Sequence, residues 1–561
     1  MATESHTRRK FLMQSGLAVG GLAAAPQLLS RLSAVPPTRL RGLMVDAARV
    51  PESLAYYRRV IDFCEDWKLN ALQFRVADDQ GCALRFSSVP DLCFHEHAFA
   101  PEQLHDLAQY AHSRGVDLIP ELESFGHTGY ITRSRAYAHL LDADSQQSSE
   151  FTGIIPVHPE TLQLFSKLYR EVAEVFPSIY LHGGCDEVNW GGSSLSRKAL
   201  QTKQRYEIWA EYLNSLDHVA GSLEKQFIVW GDMVVHKEPR ILERLNKSII
   251  VMDWNYTETS SAKLRNTLST IRTAGCRAIG APALISYRVG PRAGRDQLAN
   301  IDAFADAYLG SKDGAKGLSS LGVILTNWVP SRYIQNSIWD GFAYAAFAFS
   351  EGKGTAQKSA FQRFVERHYD GTWNHDWDEV FQLIYQAAPQ VHEQGTPAEA
   401  VPLGAPWSND EQLSAVTKIP SSVSNPFTPI RTLLEKLERV ISKNVADFKA
   451  FSLSVRYLEH AFWRDRVVGS VPRTHEYTDT LIKQIAERDR ALAEALLKDW
   501  DQGRFADSAG KLQPLYGFEP KDQLVFQFQR AAEYSASLAS HPERFLQLLV
   551  ASRRAQGSIG F

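Results

Sequence analysis

Short apolar runs alternate with helical patterns along the chain from Leu40 to about Gly354. Between the runs, apolar residues recur at helical spacing, as at Leu54, Tyr57 and Ile61. Strands that alternate with helices indicate a parallel sheet with crossover helices. Eight such units predict a (β/α)8 TIM barrel over residues 39–354. The eight predicted strands are Gly42–Asp46, Ala71–Val76, Val116–Pro120, Ile179–Gly183, Phe227–Gly231, Ser248–Asp253, Cys276–Ala281 and Gly322–Thr326.

The strand pattern stops beyond Glu351, and long helical patterns follow, for example over Leu433–Val468 and Tyr477–Leu497. Prolines are frequent over Ala387–Pro429, which indicates a boundary region or an extended loop. We therefore predict that residues 355–561 form a C-terminal, mainly α-helical domain.

The N-terminal sequence resembles a twin-arginine export signal. Arg8 and Arg9 precede an apolar run, Met13–Leu29, that is rich in glycine and alanine. A membrane anchor is the alternative, but Pro26 and polar residues interrupt the run, so we expect no stable membrane span. Residues 1–35 are thus predicted to be a signal, and the protein to be periplasmic or secreted.

Charge and cysteine content narrow the classes of partner. The chain has 561 residues and a formal net charge of -3, which offers no positive surface for nucleic acid or anionic lipid. Its five cysteines lack Cys-x-x-Cys or Cys/His spacing, and their odd number disfavours a complete disulfide framework. A neutral substrate is therefore expected, and neither a metal nor a cofactor.

Polar side chains follow most of the predicted strands, at the end of the barrel where active sites lie. Carboxylates there are mixed with tryptophan and tyrosine. Aromatic rings can stack on the apolar face of a sugar while carboxylates and arginine bind its hydroxyls. The polar groups occur at Asp46–Arg49, Asp78–Gln80, Glu121–His127, Asp186–Glu187, Asp232, Asp253–Tyr256, Tyr287–Arg288 and Asn327–Trp328.

The pair Asp186 and Glu187 follows an apolar strand directly, which distinguishes it from an ordinary surface dipeptide. Burial at this point is expected to raise the pKa of at least one of the two carboxyls, as a general acid requires. Strand residues alternate faces, so both side chains can serve one pocket only if the backbone turns outward. Gly183 and Gly184 would permit that turn.

Four segments together resemble glycoside hydrolase family 20, the β-N-acetylhexosaminidases. The resemblance covers roughly residues 40–350. The cysteine at position 185 makes the last segment resemble the hexosaminidase D-like branch of that family. The segments are Leu40–Arg49, Asp78–Gly81, Ile119–His127 (IPELESFGH) and His182–Val188 (HGGCDEV).

The resemblance implies hydrolysis of terminal N-acetylglucosamine or N-acetylgalactosamine from glycans, with retention of configuration. Glu187 would be the general acid/base, and Asp186 would hold the 2-acetamido group of the substrate. The acetamido oxygen, and not a protein carboxylate, would attack the anomeric carbon.

The resemblance also assigns the residues around the sugar. Arg49 would bind its ring hydroxyls, although Arg49 could instead pair with Asp46 or Asp79. Asp78 and His127 would sit around Glu187 and tune its proton affinity. Strand order alone places Trp254 and Trp328 as walls of the acetamido pocket, and Tyr287 or Tyr256 as donor to the acetamido oxygen.

Besides Cys185, which replaces a glycine of the more familiar motif, the sequence departs from the family pattern at two places. Phe74 and Arg75 stand where a Trp-His pair is frequent, and Glu123 replaces an aspartate. Two other functions also stay open: a carbohydrate-binding protein on the same barrel, and a retaining glycosidase with its own carboxylate nucleophile. Candidate nucleophiles for that enzyme are Glu121, Glu123, Asp232 and Asp253.

Overall fold

The computed structural model describes residues 39–143, 153–286, 289, 291–310, 320–351, 357–389, 407–415, 423–470, 475–503 and 524–557. Residues 40–561 form one compact unit. The predicted export signal and Tyr287 lie outside the described residues.

Eight parallel strands form a closed barrel, which confirms the predicted fold and all eight predicted strands. The first two barrel strands pair directly and close the barrel, with Gly42 opposite Ala71 and Asp46 opposite Arg75. The barrel strands are β1 (Leu40–Asp46), β2 (Ala71–Asp78), β5 (Asp117–Leu122), β6 (Tyr180–His182), β7 (Gln226–Trp230), β8 (Ile250–Trp254), β9 (Arg277–Ala281) and β11 (Gly322–Asn327).

Three further strands, which the sequence did not predict, extend the sheet: β3 (Gly81–Leu84), β4 (Phe94–Phe99) and β10 (Ala283–Ile285). β3 pairs antiparallel with β2, β4 pairs with β3, and β10 pairs with β11.

Alternation along each barrel strand separates two apolar layers. In β7, Ile228 and Trp230 point into the barrel, where they pack with Met44 and Ile324. Phe227 belongs to the larger layer between the barrel and its surrounding helices. The interior is therefore filled with side chains, and the ends of the barrel are the places for chemistry.

Helices surround the barrel in the order that the periodicity predicts. The first begins after Ser53, whose hydroxyl accepts a hydrogen bond from the backbone N–H of Tyr56 at 3.3 Å. The helices of this region are α1 (Leu54–Asp66), α2 (Pro101–Ser113), α3 (Gly129–Thr132), α4 (Pro159–Val175), α5 (Ser194–Ala199), α6 (Arg205–Ser222), α7 (Arg240–Arg244), α8 (Ser261–Thr273), α9 (Arg295–Phe304) and α10 (Trp339–Glu351).

The C-terminal region is helical, as predicted, but its first long helical pattern is interrupted. A break at residues 441–444 divides Leu433–Val468, and Asn444 there has a left-handed φ of 50°. The pattern carried no glycine or proline to mark the break. The helices are α11 (Gln357–His368), α12 (His375–Ala387), α13 (Asp410–Ala415), α14 (Phe427–Leu437), α15 (Val445–Ser470), α16 (His475–Gly503), α17 (Leu524–Ser540) and α18 (Pro542–Gly557).

Helix α15 ties the C-terminal region to the barrel. Its buried Asp447 accepts from Arg59 of α1 at 2.7 Å and is hydrogen-bonded to His368 of α11 at 2.9 Å. The same helix packs against the 3-10 turn Gln335–Ser337, which follows β11. Among the described residues, no helix has both the length and the apolar character to cross a membrane.

Candidate active site

Asp186 and Glu187 lie just beyond β6, where the backbone turns sharply. Gly184, Cys185 and Glu187 all have left-handed φ values, of 66°, 72° and 47°. The predicted turn is therefore present, but it extends past the glycines into two residues for which this conformation is strained. It leaves the Glu187 side chain 40% exposed at the barrel mouth, while that of Asp186 is only 9% exposed.

His127, from the loop after β5, connects the acidic groups of the mouth. Its Nε2 atom is 3.4 Å from Oε2 of Glu187 and 3.9 Å from Oδ2 of Asp186. On the other side of the ring, Nδ1 is 3.1 Å from Oδ2 of Asp79 and 3.6 Å from Oδ1 of Asp78. His127 thus contacts Glu187 directly, whereas Asp78 reaches Glu187 only through the imidazole.

The charge on this histidine governs Glu187. Burial opposes the imidazolium, but the Asp78 and Asp186 carboxylates outweigh it and raise the pKa of His127 well above its ordinary value. The hydrogen bond from His127 in turn lowers the pKa of the Glu187 carboxyl. The expectation that burial would raise the pKa was thus wrong for Glu187, because its side chain is partly exposed beside a cation.

Raised carboxyl pKa values occur instead at two neighbours of the pair. Burial and the Asp186 charge raise the pKa of Glu123 well above its ordinary value, although Arg75 opposes them. The same two causes raise the pKa of Asp232 to about 7.

Arg49, which follows β1, is held at the mouth by two aspartates. Its Nη1 atom is 2.9 Å from Asp46 and its Nη2 atom is 3.0 Å from Asp78. The anticipated pairing of Arg49 is therefore present, with Asp78 in place of Asp79 as the second partner. Both ion pairs orient the guanidinium, whose role toward a substrate stays a prediction.

A fully buried arginine, Arg75, lies beneath the mouth and was not predicted as a site residue. Its guanidinium forms ion pairs with Asp78 and Glu121, and its Nη2 atom is 2.8 Å from Glu123. One cation thus organises carboxylates from β2 and β5. A charged residue in the apolar run of β2 was the available signal, because a buried arginine requires partners.

Three aromatic side chains come together on one side of the mouth, as predicted from strand order. The rings of Trp254 and Tyr256 stack with centroids 4.8 Å apart. The indole N–H of Trp328 donates to the Tyr256 hydroxyl at 2.8 Å. The face of Trp328 also packs on the guanidinium of Arg49, at 5.4 Å from its centroid. This wall presents flat apolar surface beside hydrogen-bonding groups.

Several buried polar atoms around the mouth have no hydrogen-bond partner among the described residues, and Oδ1 of Asp186 and Nε1 of Trp254 are two of them. An acceptor and a donor left unpaired in a buried place are costly unless a ligand or water satisfies them. They mark where polar groups of a substrate would bind.

The four candidate protein nucleophiles are all buried. Glu121 and Glu123 engage Arg75, and Asp253 is hydrogen-bonded to His236 at 2.9 Å and Tyr308 at 2.7 Å. Asp232 is 5% exposed. Glu121, Glu123 and Asp253 are therefore tied to protein partners, which disfavours these three as covalent nucleophiles.

Cation ligands are available in two overlapping groups, within the described part of the chain. Ligand atoms of Asp78, Asp79 and His127, and those of His127, Asp186 and Glu187, lie within 4.8 Å of one another. Arg49 already occupies Asp78, and a positively charged His127 repels a cation. The mouth is therefore better suited to a polar organic ligand than to a metal.

Residues 39–290 match the model of a family described as glycosyl hydrolase family 20, catalytic domain. The match includes every site residue named above except Tyr308 and Trp328.

Curated relatives are similar over part of their length. Beta-hexosaminidase subunit beta of Felis catus is 28% identical over 210 residues, covering 34% of this chain and 39% of that protein. Beta-hexosaminidase of Vibrio furnissii is 25% identical over 254 residues, covering 39% and 40%. The chain thus spans about two fifths of the length of these relatives.

Among solved structures, the GH20 exo beta-N-acetylglucosaminidase from Vibrio harveyi aligns with a TM-score of 0.46 and 20% identity. That alignment covers 59% of this chain and 57% of the other.

Proposed function

We propose that the protein is an exo-acting β-N-acetylhexosaminidase. The proposal starts from the match of residues 39–290 to the catalytic domain of glycosyl hydrolase family 20. The enzyme would remove terminal N-acetylglucosamine or N-acetylgalactosamine from glycans with retention of configuration. The observation that carries this proposal is the contact of the exposed Glu187 carboxyl with His127, next to a buried Asp186.

In the first step, the acetamido carbonyl oxygen of the substrate forms a bond to the anomeric carbon as the glycosidic bond breaks. Glu187 gives its proton to the departing oxygen. The product is an oxazolinium ion, whose positive charge the Asp186 carboxylate stabilises through the acetamido N–H. Oδ1 of Asp186, which is buried without a partner, is the acceptor available for that N–H.

In the second step, the Glu187 carboxylate removes a proton from water, and the water oxygen forms a bond to the anomeric carbon. The oxazolinium ring opens and regenerates the acetamido group. Glu187 is protonated again at the end, so the cycle consumes only water.

The proton that Glu187 delivers is shared with His127. In the unliganded site the charges favour an imidazolium and a carboxylate. A bound sugar excludes water from Glu187 and so favours the neutral pair, in which the proton has moved from Nε2 of His127 to the carboxyl. His127 therefore lets Glu187 act as an acid despite its lowered pKa.

The experiment that tests this function is hydrolysis of paired 4-nitrophenyl glycosides. The β-N-acetylglucosaminide and β-N-acetylgalactosaminide are compared with their 2-hydroxy counterparts, with and without a thiazoline inhibitor. Cleavage of only the acetamido sugars, blocked by thiazoline, is expected. Cleavage of the 2-hydroxy sugars would indicate a protein nucleophile, and binding without cleavage of any glycoside would indicate a carbohydrate-binding protein.

We also propose export through the twin-arginine route, on the basis of Arg8 and Arg9 before the apolar run. Replacing both arginines by lysine keeps the charge and removes the guanidinium pair. Retention of that variant inside cells that export the unaltered chain would support the proposal. Equal export of both chains would contradict it.

A further inference from the structure

The turn that carries Asp186 and Glu187 is strained on both sides of Asp186. Cys185 and Glu187 have φ values of 72° and 47°, in the left-handed region that side chains other than glycine rarely adopt. Such residues are strained and persist only where their surroundings hold them. The question is therefore which groups hold these two residues.

Two buried carboxyl groups contact the backbone of this turn, one from each neighbouring strand. Oε2 of Glu123, just beyond β5, accepts from the N–H of Cys185 at 3.0 Å. Oδ2 of Asp232, just beyond β7, accepts from the N–H of Glu187 at 3.1 Å. Since β5 and β7 are the two partners of β6 in the sheet, the contacts come from opposite sides.

The two carboxyl groups are themselves fixed. Glu123 is fully buried and its other oxygen lies 2.8 Å from Nη2 of Arg75. Glu123 also fills the space above Gly184, where a Cβ atom would overlap its carboxylate. Asp232 is 5% exposed, at the start of an irregular helical turn that ends at Lys237.

We propose that Glu123 and Asp232 are positioning residues that clamp the two left-handed residues flanking Asp186, so that Asp186 and Glu187 both face the mouth. The clamp deepens the proposed hydrolase function and rests on it. Neither carboxyl needs to touch the substrate, because each acts through a backbone N–H of the turn.

Acceptance of a hydrogen bond does not require the charge of either group. Asp232 faces Asp186, Glu187 and the ammonium of Lys237, and the first two are acidic. Glu123 faces Asp186, Glu121, Arg75 and His127. At Asp232 a carboxamide oxygen can accept the same N–H, so asparagine should retain the clamp and alanine should lose it. At Glu123 a glutamine whose oxygen accepts from Cys185 turns its NH2 group toward Arg75, so glutamine should retain the clamp only in part.

The test compares Asp232→Asn with Asp232→Ala, and Glu123→Gln with Glu123→Met, whose side chain has a similar length and no strong acceptor. The turnover number per folded molecule is measured with the β-N-acetylhexosaminide that the unaltered protein cleaves. We expect it to fall by about 100-fold in the two apolar variants, by less than about 10-fold in Asp232→Asn and by an intermediate factor in Glu123→Gln, since small misplacements of catalytic groups are costly. KM should change less than the turnover number.

Asp217→Ala is the matched control. Asp217 is also buried and accepts from Asn246 and Ser248, but it lies near the N-terminal ends of β7 and β8, away from the mouth. Its turnover number per folded molecule should stay unchanged. Equal losses in the amide and apolar variants at both positions would overturn the clamp, and so would full turnover in both apolar variants.

Amide hydrogen exchange separates failure of the clamp from failure of the proposed function. Exchange of the Glu187 N–H should accelerate at least tenfold in Asp232→Ala, and that of the Cys185 N–H in Glu123→Met. This measurement needs no substrate. If the unaltered protein cleaves no hexosaminide, the exchange rates alone decide the clamp, and unchanged rates would overturn it.

Discussion

The Nε2 atom of His127 lies 3.4 Å from Oε2 of Glu187, on a ring whose other nitrogen contacts Asp79 at 3.1 Å. This contact joins the loops after β5 and β6. It lowers the pKa of Glu187, which is the more exposed carboxyl of the pair Asp186 and Glu187. In the proposed mechanism, the general acid is therefore a pair of residues, His127 and Glu187, that share one proton.

Replacing His127 by phenylalanine should therefore change the pH dependence. The shared proton is held up to the raised pKa of His127, so the alkaline limb of kcat/KM reflects that value. Without the imidazole the proton resides on the carboxyl alone, and the limb should move down toward the ordinary carboxyl range. Activity at pH 7 should fall about 100-fold and recover partly at lower pH. The exposed His139, paired with Glu160, provides the control His139→Phe, which should leave the profile in place.

Glu187→Gln should lower kcat by about three orders of magnitude, because an amide cannot transfer the proton. The affinity for thiazoline should change by less than about tenfold, since the amide keeps the shape of the carboxyl. Steady-state kinetics and calorimetric titration measure the two effects. Activity equal to that of the unaltered protein would show that Glu187 is not the acid.

Asp186→Asn should affect both turnover and inhibitor binding. The buried Oδ1 atom of Asp186 is proposed to accept the acetamido N–H and to stabilise the oxazolinium charge. We expect kcat to fall about 100-fold and thiazoline to bind about tenfold more weakly or worse. Unchanged thiazoline affinity would place the acetamido group elsewhere.

Asp232→Asn should alter the pH dependence of stability. The pKa of Asp232 is about 7 in the folded chain and that of an ordinary aspartate is 3.8. Between these values the folded chain binds more protons than the unfolded chain, so the free energy of unfolding falls as pH rises and levels off above pH 7. Asparagine removes this dependence, and its stability relative to aspartate should increase by on the order of 3 kcal/mol from pH 4 to pH 8. Urea unfolding of both proteins at both pH values measures this difference. The same difference in free energy of unfolding at pH 4 and pH 8 would contradict a raised pKa for Asp232.

Gly126→Ala should disrupt the mouth through backbone crowding. A Cβ atom there would overlap the carbonyl oxygen of Asp186, which cannot move without moving Asp186 and Glu187. We expect at least a 100-fold loss of kcat/KM, because the loop carries His127. Gly221→Ala in α6 is the control, since a Cβ atom meets nothing within 4 Å there and alanine favours a helix. Comparable activity in the two variants would contradict this account.

The sequence predicted the barrel well because its strands are continuous apolar runs, as in Phe227–Gly231, and such runs are visible without tertiary information. The order of the predicted strands also indicated that Trp254, Tyr256 and Trp328 lie near one another, and the three side chains are in contact. The short strands β3, β4 and β10 carry no such pattern, since their pairing depends on loops that the barrel places.

The electrostatics of the site was less accessible from the sequence. The pKa of Glu187 depends on its exposure and on His127, which lies 60 residues away in the chain. Arg75 was visible only as a departure from the family pattern, and Glu123 was visible as a departure and as one of four candidate nucleophiles. The structure shows that they contact each other, so the two departures belong to one buried ion-pair network.

Asp447 pairs both with Arg59 of α1, the helix between the first two barrel strands, and with His368 of α11. When the C-terminal helices separate from the barrel, the buried Asp447 carboxylate loses Arg59, and breaking a buried ion pair is destabilising. Heating should therefore melt barrel and C-terminal helices in a single cooperative transition, so residue 354 is a poor place to cut the chain for expression.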